Sequence, residues 1–258
     1  MSKGERTRQA RQKLEQVRAQ QRAQELRRRA IVGTVAGVAV AGVIAVIAIV
    51  AVSAGGKSHE VMPAGVGGGT PVVQPAALTV PNKTGIRGVV AYDTTGWPAS
   101  SSNGPANRAL GHTHVPGPVQ YSVTPPVGGN HNATWMNCGV YDKPVPAERA
   151  VHNLEHGAVW ITYQPSLPQS EVTRLRAFFG RQTVISPAGA SSSRYLDLTP
   201  YPGLPAPIVV SSWGFQLRLT SSADPRLQQF VSTFRASRKY SPEYGGQCTG
   251  GTGTPRET

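Results

Sequence analysis

The sequence is poor in charged residues, in aromatic residues and in cysteine. Of its 258 residues, 15% are charged, 7% are aromatic and two are cysteine, whereas 29 are glycine and 22 are proline. Long helices and coiled coils are usually rich in charged residues and poor in glycine and proline. The composition therefore disfavours a helical bundle and fits a loop-rich globular domain with irregular ends.

Several common enzyme motifs are also missing. The sequence has no G-x-S-x-G nucleophile elbow, no phosphate-binding G-x-x-x-x-G-K loop, and no G-x-G-x-x-G after a predicted strand. Its two cysteines do not form the C-x-x-C pair that is typical of redox catalysis. The sequence therefore carries no signal for these enzyme classes.

The positive charge is concentrated at the N-terminus. The formal net charge is +13, and residues 1–29 carry ten basic and three acidic side chains, whereas residues 53–258 carry 16 basic and 10 acidic side chains. A nucleic-acid-binding domain needs a basic surface on the folded part of the chain. We therefore expect no nucleic-acid partner.

Residues 30–52 form a run of 23 uncharged, mostly apolar residues. About 20 helical residues cross the hydrocarbon core of a bilayer, so this run predicts a single transmembrane helix. The basic segment before it predicts a cytoplasmic N-terminus that is attracted to anionic lipid headgroups, and it places residues 53–258 outside the plasma membrane. The alternative is a signal peptide cleaved near residues 52–54, which the long basic segment and the long apolar run disfavour.

Five segments follow from these patterns: a basic cytoplasmic segment (1–29), a transmembrane helix (30–52), a flexible linker (53–77), a folded domain (78–248) and a disordered tail (249–258). Periodicity predicts that the domain is α+β, with a mixed sheet, packed helices and long loops. The predicted strands are 86–92, 119–123, 158–163, 183–186, 208–212 and 215–219, and the predicted helices are 147–156, 170–180 and 225–238.

Both cysteines fall in the part of the chain that is predicted to lie outside the membrane. An oxidising compartment and an even number of cysteines favour a disulfide between Cys138 and Cys248. A thiolate metal ligand and a pair of free thiols remain as alternatives.

Five of the six histidines lie within 45 residues, which is the most informative feature of the sequence. His112 and His114 would share one face of an extended segment, and neutral imidazole is a common ligand of zinc and copper. We expect a metal site with two ligands from one face of a helix and two from the preceding loops: His152, His156, His114 and His131. His112 is a reserve ligand, and a metal-free polar network is the alternative.

Residues 152–156 (His-Asn-Leu-Glu-His) also match the H-x-x-E-H pattern of inverted zincins, in which both histidines bind zinc and the glutamate polarises water. Such a hydrolase needs a longer helix and a third ligand downstream, whereas Gly157 should end the helix at the motif. We expect Glu155 to hydrogen-bond an imidazole behind the metal, or to act as a base if a water is bound. A metal-dependent hydrolase is therefore an alternative function.

A longer spaced pattern surrounds the histidines. It comprises 114–121 (HVPGPVQY), 125–131 (PPVGGNH), 135–141 (WMNCGVY) and 144–159, followed by Trp213, Gly214 and Cys248. Over residues 85–248 the chain resembles a bacterial family known as domain of unknown function 3105. The resemblance implies an exported domain, often behind a single membrane span, with a histidine-rich functional centre for which copper handling is one interpretation. It supplies no activity.

Three functions remain on this reading of the sequence. The first is a membrane-tethered, extracytoplasmic domain that binds zinc or copper through its histidines. The second is a metal-dependent hydrolase, and the third is a metal-free structural or interaction protein of the cell envelope. No pattern in the sequence identifies a protein partner.

Overall fold

The computed structural model describes residues 70–74, 76–94, 110–189 and 192–258. The basic segment, the apolar run 30–52 and most of the predicted linker lie outside these residues. Among the residues described, no helix is both long enough and apolar enough to cross a bilayer. The described part of the chain is an α+β domain with a mixed sheet, as predicted.

A six-stranded sheet forms the centre of the domain. In spatial order its strands are β2 (Thr79–Val80), β3 (Val89–Tyr92), β8 (Phe215–Leu219), β7 (Ile208–Ser212), β5 (Val159–Tyr163) and β6 (Leu196–Pro200). β5 and β6 are parallel, with Val159 opposite Leu196, and the other neighbours are antiparallel. Two short strands, β1 (Val72–Val73) and β4 (Val119–Gln120), form a separate parallel pair.

The described residues contain three α-helices: α1 (Ala147–His156), α2 (Gln169–Arg181) and α3 (Pro225–Phe234). Successive side chains of a strand point to opposite faces of the sheet. One face, which includes Ile161 of β5, packs against α2 and α3. The other face, which includes Trp160, packs against α1 through Val151 and Leu154. The central strands are therefore buried on both faces.

The sequence predicts some of these elements to the residue and misses others. Strands β7 and β8 and helix α1 have the predicted bounds. β6 is absent from the prediction, because a sequence that contains proline does not indicate a strand. The strand lies at one edge of the sheet, where proline is tolerated. The predicted strand at 183–186 is wrong, since the structure has only an isolated bridge there, between Ile185 and Ser193. Helix α3 ends at Phe234, four residues early.

Both ends of the described chain are more ordered than the sequence predicts. β1 comes from the predicted linker, yet it pairs with β4. The tail at 249–258, which we expected to be disordered, lies against the domain: Glu257 O accepts a hydrogen bond from Val140 N at 2.8 Å, and Val140 O accepts one from Arg256 N at 2.7 Å. The backbone of buried Val140 needs partners. The tail provides them through its main chain, which side-chain polarity does not reveal.

Candidate metal centre

Helix α1 carries three of the residues expected at the site. Pro146 precedes the helix, and Gly157 ends it in the left-handed region (φ 101°), which glycine adopts without steric cost. His152, Glu155 and His156 are at most 4% exposed. Two imidazoles and a carboxylate in a buried position need partners that satisfy them.

Backbone hydrogen bonds place the two loop histidines beside this helix. His114 and His131 form an isolated parallel bridge, in which Val115 N donates to His131 O at 2.8 Å. Asn132 N then donates to Glu148 O of α1 at 3.1 Å. The two loops are therefore fixed to each other and to the helix through their main chains.

Four side chains converge to form what we call the inner cluster: His114, His131, His152 and Glu155, whose ligand atoms all lie within 4.8 Å of one another. Their three imidazole rings form a triangle in which every pair of ring centroids is 4.9 Å apart. Oε2 of Glu155 is 2.8 Å from Nε2 of His131 and 3.8 Å from Nε2 of His114. Ligand atoms around a tetrahedral zinc ion are about 3.3 Å apart, so these two distances bracket the required spacing.

Main-chain carbonyls set the tautomers of three rings. Nδ1 lies 2.8 Å from Gly129 O in His131, 2.7 Å from Asn132 O in His152, and 2.6 Å from Gln247 O in His156. Because a carbonyl oxygen only accepts hydrogen bonds, each Nδ1 carries a proton, and Nε2 is the nitrogen left to bind a metal ion or a second proton. Metal-binding histidines are usually oriented in this way.

One contact inside the inner cluster is unfavourable without a further positive charge. Nε2 of His131 and Oε2 of Glu155 are both buried, and neither has a hydrogen-bond partner. If Nε2 carries no proton, the two atoms face each other as acceptors at 2.8 Å. Buried acceptors left in this way are costly. A proton or a metal cation bound between them would remove the cost.

Burial keeps His152 neutral. Desolvation is the main cause that lowers its pKa from 6.5 to about 3, and the three neighbouring imidazoles act in the same direction, whereas the hydrogen bond to Asn132 O opposes the shift. Neutral imidazole is the form that coordinates a metal. The ring is therefore in its metal-binding state throughout the neutral pH range.

A second group, which we call the outer cluster, consists of His152, His156 and Glu243, again with all ligand atoms within 4.8 Å. Nε2 of His156 is 3.6 Å from Oε2 of Glu243, whose side chain is half exposed. The contact with His156 holds the pKa of the Glu243 carboxyl below its ordinary value. Gly246 permits this packing, since a Cβ at that position would lie 2.3 Å from Cδ2 of His156.

Residues 112–250 match the model of the family described as Protein of unknown function (DUF3105). The chain belongs to the DUF3105 family. The match covers more than half of the chain and contains every residue of both clusters, together with Cys138 and Cys248. No curated protein and no solved structure matches the chain.

In this DUF3105 domain, Asn153 fixes helix α1 from its buried side. Its Nδ2 donates to Oδ2 of Asp197 at 2.7 Å, and its Oδ1 accepts from Met136 N at 3.1 Å. Asp197 on β6 is 1% exposed and also accepts a hydrogen bond from Gly139 N at 3.2 Å. Burial raises the pKa of Asp197 from 3.8 to about 7. The pair therefore positions the helix that carries His152 and Glu155.

Cys138 and Cys248 are joined by a disulfide, and Cys138 N also donates to Cys248 O at 2.8 Å. Cys248 directly follows Gln247, whose carbonyl oxygen accepts the hydrogen bond from Nδ1 of His156. The cross-link therefore holds the segment that orients one of the imidazoles, and neither sulfur is available as a thiolate ligand.

The structure divides the expected ligands between the two clusters. Three of the five histidines lie together in the inner cluster, whereas His156 lies with Glu243. The carboxylate of Glu155 lies among the imidazole nitrogens of the inner cluster, 2.8 Å from Nε2 of His131. Among the described residues, His112 is outside both clusters.

Glu243 is a candidate ligand that reasoning from the sequence missed. It lies far from the histidines along the chain, and it reaches them because Glu243 N donates to Glu155 O at 2.9 Å at the end of α1. No local motif surrounds it. The only available signal was the third, downstream ligand that the H-x-x-E-H pattern requires.

Proposed function

We propose that this DUF3105 domain binds a transition-metal ion, zinc or copper, in the inner cluster. The observation that carries the proposal is the pair of buried acceptors, Nε2 of His131 and Oε2 of Glu155, which are 2.8 Å apart and have no hydrogen-bond partner. A metal-free polar network satisfies these two atoms only if a proton lies between them. A bound cation accepts electron pairs from both of them.

The donor set suits this class of ion. Three imidazoles and one carboxylate give the four ligands of a closed tetrahedral zinc site, and imidazole also binds copper. His131 and His152 would donate through Nε2, because their Nδ1 atoms are held by main-chain carbonyls. The domain would hold the ion firmly, since all four ligands are protein side chains and no coordination position is left for a substrate.

The test is a titration of the full-length chain, purified in detergent, with zinc and with copper, followed by dialysis and elemental analysis. We expect one ion per chain, lost when His152→Ala and His156→Ala are combined. The variant His112→Ala is the matched control, because His112 lies outside both clusters, and it should keep its ion. Circular dichroism checks that each variant is folded. An unchanged ion content in the double variant, or none in the parent, contradicts the proposal.

We also propose that the domain lies outside the plasma membrane and is tethered to it by residues 30–52. The apolar run and its basic flank support this topology, and the disulfide is consistent with an oxidising compartment. In intact cells, a membrane-impermeant thiol reagent should label a Thr70→Cys variant and spare Gln20→Cys. Labelling of Gln20→Cys alone contradicts the topology.

A metal-dependent hydrolase is the second candidate function, and Glu243 is the observation that favours it. Together with His152 and His156, this carboxylate supplies the third ligand that the H-x-x-E-H pattern requires downstream. In that mechanism Glu155 polarises the attacking water. The zinc-loaded chain would then cleave a mixed peptide library, and Glu155→Gln would abolish cleavage without releasing the metal. Cleavage that survives this substitution removes the candidate.

A further inference from the structure

We infer that the DUF3105 domain has two alternative positions for a transition-metal ion, which share His152 and exclude each other: one in the inner cluster and one in the outer cluster. The inference rests on the proposed function and extends it. The outer position would take the same class of ion, a divalent zinc-like or copper-like cation, through His152, His156 and Glu243.

Mutual exclusion follows from the tautomer of His152. Its Nδ1 donates to Asn132 O at 2.7 Å, so only Nε2 has a lone pair. Both clusters require that one atom, since each contains His152. An ion in either position therefore deprives the other position of a ligand.

Ring packing and hydrogen bonds hold the side chains of the outer position in place, as they do at the inner position. Its two rings lie with centroids 4.4 Å apart, and Trp135 contacts both of them edge to face, at 5.6 Å and 5.4 Å. Nδ1 of His156 is held by Gln247 O at 2.6 Å, which directs Nε2 towards Glu243. The hydrogen bond from Glu243 N to Glu155 O fixes the carboxylate-bearing segment to the end of α1.

The two positions differ in ligand number. The inner cluster offers four ligands, which is typical of closed sites, whereas the outer cluster offers three, which leaves a coordination position open. Glu243 is half exposed, as is His114 of the inner cluster, so solvent reaches both positions. An ion that moves from the inner to the outer position would keep His152 throughout and exchange its other ligands one at a time. The arrangement therefore suits an ion that is taken up and released.

The test uses the full-length chain, with Zn²⁺ competed against a chromophoric chelator and Co²⁺ as a spectroscopic probe. In the parent, Glu243→Gln should change the affinity for the first ion by less than about threefold. His131→Ala removes a proposed ligand, so it should weaken binding by at least the roughly tenfold that loss of a ligand's hydrogen-bond partner costs, yet one ion should still bind. In the His131→Ala background, Glu243→Gln should then weaken binding by at least about a further tenfold.

Matched controls keep the interpretation specific. Glu257→Gln removes an exposed carboxylate outside both clusters and should have no effect in either background. If His131→Ala does not fold, Glu155→Gln can replace it, because this nearly isosteric substitution also removes a ligand of the inner position. The Co²⁺ spectrum should change from a four-coordinate to a higher-coordinate form when the inner position is disabled, because the outer cluster leaves positions for water.

Three results would overturn the inference while leaving the proposed function intact. These are complete loss of binding in His131→Ala and in Glu155→Gln, an equal effect of Glu243→Gln in both backgrounds, and two tightly bound ions per chain at saturation. Failure of the proposed function gives different results: the parent chain would bind no ion, or the variant that combines His152→Ala and His156→Ala would keep its ion.

Discussion

Asp197 should make the stability of the domain fall as the pH rises. It is 1% exposed, and burial raises its pKa from 3.8 to about 7. The folded state therefore binds this proton more tightly than the unfolded state does. The contribution to stability is fully present below about pH 4 and is lost as the pH rises through about 7. Because one pKa unit corresponds to about 1.4 kcal/mol, the loss is about 4 kcal/mol.

The measurement must separate Asp197 from the histidines. Burial lowers the pKa of His152 to about 3, so His152 makes stability rise with pH over an overlapping range and masks Asp197 in a simple pH profile. Urea unfolding of the parent and of Asp197→Asn, with a chelator present, should be measured at several pH values between 4 and 8. The difference between the two free energies of unfolding isolates Asp197.

The variant should be less stable than the parent by a constant amount, because its new amide would face Nδ2 of Asn153, donor against donor. That offset does not depend on pH, so only the slope tests the reasoning. We expect the advantage of the parent over the variant to shrink by about 4 kcal/mol between pH 4 and pH 7. A difference that stays constant, or that grows with pH, would show that Asp197 is ionised in the folded protein.

Two further predictions concern the end of the chain. Thiol titration of the denatured, unreduced protein should find almost no free thiol, and replacing both cysteines by serine should cost about 2–5 kcal/mol of stability; two reactive thiols per chain would contradict the cross-link. Deletion of residues 249–258 should lower the urea midpoint, because it removes the partners of Val140 N and Val140 O, and each lost buried hydrogen bond costs about 1–3 kcal/mol. An unchanged midpoint would show that the tail is loose, as its sequence predicts.

The parts of the fold that could be predicted are those in which local sequence and tertiary contacts agree. Apolar, β-branched strands around Trp213 and Gly214 predict β7 and β8, and Pro146 and Gly157 delimit α1. β6 and the tail could not be predicted in this way. Their positions depend on main-chain hydrogen bonds to distant segments, and side-chain pattern carries little information about such bonds.

The candidate site was likewise only partly predictable from the sequence. The number and spacing of the histidines predict a metal site, because neutral imidazole is a common ligand of transition metals. Spacing alone does not assign them to positions. Glu155 was expected behind a ring because it is adjacent to His156 on the helix, but the loop that carries His131 approaches from the other side and meets its carboxylate. Glu243 lies beside the histidines only because the fold brings its distant segment to the end of α1.

If the inner cluster binds an ion as proposed, that binding would also stabilise its surroundings. His131 and Glu155 are almost completely buried, and two facing acceptors there would cost free energy without a proton or an ion between them. The main-chain bridge between His114 and His131 and the buried Asn153–Asp197 hydrogen bond hold the cluster together against this cost. An ion that binds only the folded state adds stability in proportion to the logarithm of its concentration over its dissociation constant. The loops around the cluster should therefore be the part of the domain that an ion stabilises most, because their histidines are brought together only in the folded chain.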